Sequence, residues 1–313
     1  MKDRYPAVDA FRGGEKVIRI VGHRGARGLI PENTMIGFKT AVSMGIHLLE
    51  FDVVLCADGF PVITHNHAIH APTFRIPETD CFVTEEPKVL DLNWSELQSF
   101  EIGRLDAHSQ YGKRFPDQLQ LDGIKVPKLA DLLSYAEHLG DQKIYLMLEI
   151  KSDPAHVKDA EFRANLVAKV IAEVRTFGLS EQTLLHSFDW QILEECKKQA
   201  PDMPISFLTQ LTENPSDVGE DSSLAVGPHV ENVEAIPEMV HERGGSLWCP
   251  NVCDATAESI ERAKQLGLVT AVWTANENDE IDKMIEIGVD AIVTDYPGRV
   301  QQRLMIHGFK WST

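Results

Sequence analysis

The chain has 313 residues, 43% of them hydrophobic and 25% charged, a composition of a folded globular protein and neither a disordered nor a fibrous one. No apolar run is long enough to cross a bilayer as a helix, which argues against a transmembrane segment. The formal net charge of -18 argues against a nucleic-acid partner, because phosphate backbones are held by clustered Lys and Arg, but it is compatible with a small phosphorylated ligand bound beside a metal.

The N-terminal segment MKDRYPAVDAFRGGEKV has no basic start, apolar stretch and small-residue cleavage site in series, so no secretory signal is visible and a cytoplasmic protein is expected. Residues 17–22 (VIRIVG) form an apolar strand, and PENTMIGFKTAVSMG follows with Asn33 or Thr34 as helix cap and Gly45 as stop. A second strand, 48–55, turns back through ADGF at 57–60 into PVITH at 61–65, which sets His65 within a residue or two of Asp52. From Asn66 to about Gly123 the strand-helix rhythm is lost; one helical phrase, 92–103, stands in a stretch that reads as an insertion forming a lid or substrate wall. The rhythm resumes with a helix over 126–140 and a strand over 144–151. Further helices are expected at 158–177, 189–200, 231–243, 255–266 and 278–287. Strands are expected at 183–188, 205–210, 246–250, 268–275 and 291–295, with a polar loop at 211–230 and a short helix after the last strand. Without the hairpin's return strand there are eight main strands, nearly all followed by a helix. That alternation predicts one (β/α)8 TIM barrel spanning 1–313, with an insertion at about 66–123 after the second strand.

The chemistry-bearing residues fall at the C-terminal ends of these strands. Leu48, Glu50 and Asp52 share one face of a strand by its period of two, and Glu149 and Lys151 share one face of another. Glu50, Asp52 and Glu149 are hard oxygen donors suited to one divalent cation, Mg²⁺ or Ca²⁺. Surface acids or ion pairs are the plainer alternative, but each acid stands in an apolar strand where an unpaired charge would cost several kcal/mol. His23 and His65 can border the same metal as general base and general acid. On an ideal strand His23 shares the face of Arg19 and Val21, so Gly22 or the strand's end is expected to re-aim it. Arg24 and Lys151 suit a phosphate's oxygens, and equally suit ion pairs with the acids. Trp273 and Phe188 are candidate walls for a small polyol, with core packing as the alternative, while Asn276 and Asp295 end the seventh and eighth strands.

In order along the chain, HRG with PENT, EFD, DG, VITH, LEIK, SFD, VWTAN and VTDYPGR resemble the glycerophosphodiester phosphodiesterase family over nearly the whole length. The resemblance implies a TIM barrel with a small insertion after its second strand. It implies hydrolysis of glycerophosphodiesters to sn-glycerol 3-phosphate and an alcohol with a divalent cation. It also implies His23 and His65 as the histidine pair, Arg24 on the phosphate, Glu50, Asp52 and Glu149 as metal ligands, and Lys151 as the third-strand lysine. The chain departs from the pattern at Asn66, where the family often has Asp, so the neighbour of His65 brings an amide and no charge.

Three other readings compete with this one. An amidohydrolase-type metalloenzyme would use His65-Asn66-His67 as an H-x-H, but that motif belongs on the first strand. A non-catalytic phosphodiester-binding barrel is countered by the presence of both histidines and all three acids. A phospholipase D-like lysolipid hydrolase calls for an apolar lip, and Phe74, Phe82 and Trp94 are few and spread out. The five cysteines (Cys56, Cys81, Cys196, Cys249, Cys253) are odd in number and scattered, as reduced thiols would be, and Cys249 with Cys253 is too isolated for zinc. Oligomeric state is not constrained.

Overall fold

A computed structural model describes residues 5–211 and 232–311. In chain order the elements are α1 (Pro6–Phe11), β1 (Arg19–Gly22), α2 (Met35–Ser43), β2 (Leu48–Leu55), β3 (Pro61–Ile63), β4 (Arg75–Ile76), β5 (Cys81–Phe82), α3 (Trp94–Leu97), α4 (Leu129–His138) and β6 (Tyr145–Ile150). They continue with α5 (Ala160–Thr176), β7 (Thr183–Ser187), α6 (Trp190–Gln199), β8 (Ile205–Thr209), α7 (Ile236–Glu242), β9 (Leu247–Pro250), α8 (Ala257–Gln265), β10 (Val269–Val272), α9 (Asn278–Ile287), β11 (Ala291–Thr294) and α10 (Pro297–Ile306).

Eight parallel strands (β1, β2 and β6 to β11) close into a barrel, because β1 pairs with β11 on one edge and with β2 on the other. This is the expected (β/α)8 TIM barrel. Where β1 has ended, β2 runs on above the rim and pairs with antiparallel β3 (Val53 with Ile63, Leu55 with Pro61). Inward residues of the lower barrel, among them Val21, Leu48, Met147, Leu184, Leu208, Leu247, Val269 and Ala291, pack against one another. A thicker apolar layer lies between the strands and the surrounding helices. No helix of the described residues is long and apolar enough to cross a membrane.

Several expected elements change form. The helix over 92–103 shrinks to the single turn α3, capped by Asn93 and Glu96. It stops there because Glu101 leaves the helical path to exchange backbone hydrogen bonds with Arg75. The insertion also holds the β4–β5 hairpin, fixed by the Arg75 guanidinium on Asp80, Glu101 and Asp122, and encloses an apolar cluster of its own around Ile69, Phe74, Val89, Leu97 and Val126. The helix after the eighth strand, α10, is as long as α9. The polar loop at 211–230 falls almost wholly outside the described residues, and the helix expected from 231 begins as a 3-10 turn at Val233–Ala235. The N-terminal helix α1 was not expected: six residues are too few for a periodic signal. Val8 and Phe11, fully buried, close the bottom of the barrel against the inward residues.

Candidate functional site

Strand parity delivers the site. Val21 points into the barrel with Leu48 and Met147, so residues two and four further along, His23, Glu50, Asp52, Glu149 and Lys151, point inward at the upper rim. His23 therefore needs no re-aiming, contrary to the expectation from its shared face with Arg19 and Val21. Gly22 is needed for a different reason: a Cβ there would stand 2.1 Å from the Gly25 carbonyl oxygen, so only glycine lets the chain fold straight back. In that turn Arg24 adopts φ +49, a left-handed conformation that non-glycine residues hold at a cost. Its backbone N–H donates to Glu50 Oε2 at 3.0 Å. Its guanidinium meets Glu32 Oε1 at 2.9 Å and Asp52 Oδ2 at 3.2 Å.

Lys151 Nζ lies 2.9 Å from Glu149 Oε1 and 3.1 Å from Asp52 Oδ1, so both phosphate-binding candidates are ion-paired to the acids, as the alternative reading allowed. One carboxylate oxygen from each of Glu50, Asp52 and Glu149 lies within 4.8 Å of the others, all three residues buried. Burial, with repulsion from Asp52 and Glu149, pushes the Glu50 carboxyl well up. Burial also pushes Glu149 up, to about 7, against the opposing pull of Lys151. At Asp52 burial acts the same way but is outweighed by Lys151, His65 and Arg24, which hold the carboxyl well below its usual range. Lys151 is raised because Asp52 and Glu149 outweigh its own burial. Among the described residues Asp52 Oδ1 accepts no hydrogen bond of good geometry. Three crowded hard oxygen donors, one with an unused lone pair, fit a divalent cation.

His65 follows β3. Thr64, one residue earlier than sequence pairing suggested, donates its N–H to the Asp52 carbonyl, so His65 borders the acids. Its Nδ1 lies 2.6 Å from Asn66 Oδ1, which makes the amide oxygen an acceptor and leaves Nε2 as the outward nitrogen. Phe188 and Trp273 meet edge to face at 5.3 Å on the far side of the mouth, with Trp273 Nε1 donating to the Cys249 carbonyl.

Sequence reasoning missed what holds these groups. Asp295, on no more than a strand end in sequence, lies 2.7 Å from His23 Nδ1 and accepts from both Nε and Nη2 of Arg27 and from Asn276 Nδ2. It is fully buried, yet Arg27 and His23 outweigh that burial and keep it ionised. An ionised carboxylate only accepts, so His23 Nδ1 carries the proton and Nε2, 3.7 Å from Glu50 Oε2, is the nitrogen turned towards the acids. Burial, then Arg27, lowers the His23 pKa, while Asp295 pulls it back up. Asn33, read from sequence as a cap alternative, instead donates its amide to Asp52 Oδ2 at 2.8 Å, and Thr34 caps α2. Glu32 is held by the Tyr111 hydroxyl from the insertion. His186 also points inward beside Glu149, but burial and then Lys151 lower it to about 3, so it stays neutral against Ser206 Oγ.

Over residues 23–299 the chain matches the glycerophosphoryl diester phosphodiesterase family. It belongs to that family. A solved structure from Silicibacter pomeroyi DSS-3, assigned to the glycerophosphoryl diester phosphodiesterases, is 44% identical with a TM-score of 0.90, covering 98% of this chain and all of that one. A glycerophosphodiester phosphodiesterase from Caldanaerobacter subterraneus subsp. tengcongensis is 27% identical over 280 residues, 89% of this chain and 94% of the relative. An Oleispira antarctica phosphodiesterase, solved with the product sn-glycerol-3-phosphate, shares the fold at 19% identity and a TM-score of 0.68 over 92% of this chain and 97% of its own. This phosphodiesterase is thus an enzyme of the phosphodiester hydrolase class.

Proposed function

We propose that the protein hydrolyses water-soluble glycerophosphodiesters to sn-glycerol 3-phosphate and an alcohol, using one divalent cation, Mg²⁺ or Ca²⁺. The observation that carries this is the convergence of three buried carboxylates, two cations and two histidines on one barrel mouth. Glu50, Asp52 and Glu149 would hold the cation. When bound, it supplies positive charge that favours the developing charge on phosphorus-bound oxygen. Arg24, a planar fork, and Lys151, a point charge, exchange part of their pairing with the acids for the phosphate's non-bridging oxygens. His23, fixed through Nδ1, and His65 divide the proton transfers: one relieves the nucleophile of its proton and the other protonates the leaving alkoxide. The nucleophile is water, or the neighbouring glycerol hydroxyl, which expels the alcohol and closes a cyclic phosphate that water then opens to glycerol 3-phosphate. Phe188 and Trp273 give the glycerol carbons an apolar wall.

A phospholipase D-like activity on lysolipids is supported less. A human relative 22% identical to this chain is named Lysophospholipase D GDPD1. Here, however, Phe74 is buried, and Trp94 lies half-buried under the Lys128 ammonium, so the insertion builds no apolar lip from them. A cytoplasmic setting is supported by the five free thiols.

The test is a panel of glycerophosphodiesters assayed after EDTA treatment and after restoring each metal. Release of glycerol 3-phosphate only with metal restored is expected; undiminished release in EDTA would overturn the metal reading. His65→Ala should abolish turnover while metal still binds, and near-normal turnover would remove His65 from the mechanism.

A further inference from the structure

Beside His65, on the side of the mouth opposite the Phe188–Trp273 pair, lies a small pocket, partly open to solvent, between the rim and the insertion. Ile63, Phe74 and Ile102 form its apolar walls, and Thr64, Asn66 and Gln118 supply polar groups. The back of this pocket is built, not incidental. Thr64 is 8% and Gln118 7% exposed, and Gln118 Nε2 is anchored on the Arg27 carbonyl at 2.7 Å. Among the described residues no protein hydrogen bond is made by Thr64 Oγ1, Asn66 Nδ2 or Gln118 Oε1, so a hydroxyl, an amide donor and an amide acceptor are left available on residues that line one small space. The charged groups of the lining are already engaged: Glu32 by Arg24 and Tyr111, and Arg104 by Asp122. The Tyr111 ring meets His70 and Phe115 edge to face, and the Arg114 guanidinium stands over it.

We propose that this pocket receives the leaving alcohol and selects neutral, hydroxyl-bearing head groups such as glycerol or inositol over quaternary ammonium head groups such as choline. The inference rests on the phosphodiesterase reading and deepens it. Each hydroxyl can both donate and accept, and so can satisfy the three neutral groups together. A trimethylammonium can do neither, and it would strip water from three polar groups and leave them unpaired. A cation would also want an aromatic cage or a free carboxylate, and the Tyr111 ring and Glu32 are occupied.

The experiment has two arms. In the first, kcat/KM is measured for glycerophosphoglycerol, glycerophosphoinositol and glycerophosphocholine with the metal-loaded wild-type protein, Thr64→Val and Gln118→Met. The wild type should favour the polyol diesters by about tenfold or more, and the variants should bring that ratio towards one. In the second, calorimetry measures binding of the same diesters to His23→Ala, which is impaired in turnover, so the ranking is read without chemistry. Tighter binding of polyol diesters there supports the pocket even if no diester is hydrolysed, an outcome that would sink only the catalytic reading. Equal or tighter binding of glycerophosphocholine overturns the proposal. So do variants that lose all substrates by the same factor, which would mean that the pocket holds the common glycerol phosphate instead.

Discussion

Asp295→Asn tests the part of the site that depends most on the structure. The carboxylate is fully buried and takes four hydrogen bonds, from His23 Nδ1, Arg27 Nε, Arg27 Nη2 and Asn276 Nδ2. An amide keeps the shape but offers one acceptor oxygen and no charge, so Arg27, 1% exposed, loses the carboxylate that now takes two of its hydrogen bonds. Removing one partner of a buried pair costs about 3–5 kcal/mol, here lessened by the Tyr111 hydroxyl at 3.3 Å and the Phe115 ring at 4.5 Å, so the lower end is expected in thermal or urea unfolding. The effect on turnover is separate. Asp295 supports the imidazolium of His23 and fixes its tautomer, so its loss should lower kcat by roughly 10²–10⁴-fold. KM should change little, because Asp295 lies behind His23 and touches no part of the proposed substrate site. The sign of the pH effect follows: Asp295 raises the His23 pKa, so the His23 limb of the pH–rate profile should move to lower pH in the variant. A folded Asp295→Asn protein with kcat within threefold of wild type and an unmoved profile would refute the role given to this pair.

Three further outcomes are expected. Glu149→Gln removes one of three crowded oxygen donors, so calorimetry should show weaker Mg²⁺ or Ca²⁺ binding by about tenfold or more, and unaltered affinity would remove Glu149 from the ligand set. In the metal-free protein burial pushes the Glu149 carboxyl up to about 7 and Glu50 lies well above its usual range, so at pH 6 the entering cation competes with protons that are largely gone from Glu149 by pH 8. Metal affinity should therefore rise across that interval, with proton release visible as a buffer-dependent heat, and a flat profile would contradict the crowding of the acids. Phe11→Ala opens a cavity at the barrel floor, far from the rim; a loss of about 3–5 kcal/mol in unfolding with kcat unchanged is expected, and a kcat loss matching the stability loss would show the two ends to be coupled.

The barrel was legible because its signals are local and repeated. Strand β2 matches its sequence reading at both ends, α9 does too, and the ADGF hairpin returns its strand one residue from the expected pairing. What failed was set by partners distant in sequence. The phrase 92–103 has helical composition, but Glu101 is drawn out of it by Arg75, 26 residues away, and the hairpin at Arg75 is itself organised by acids that the sequence shows only as scattered charge. Helix α1 is short, and its two inward side chains become meaningful only once the barrel gives them a floor to fill.

The site divides along the same line. Glu50, Asp52, Glu149 and Lys151 were readable because period two on apolar strands names the face, and burial of an unpaired acid demands a partner. The supports of those groups were not, since Asp295 reaches His23 across 272 residues and only the pairing of β1 with β11 brings them together. The same closure corrected the strand-parity difficulty. Nothing within VIRIVG says which face is inward, and the answer comes from Val21 meeting Leu48 and Met147 inside the barrel. Asn66 illustrates the converse. Its amide looked like a lost charge beside His65, but its oxygen accepts the hydrogen bond of His65 Nδ1, and the residue lines the insertion pocket. An aspartate there would accept at both oxygens and donate at neither, so in the proposed head-group pocket the amide supplies a donor that a carboxylate would not.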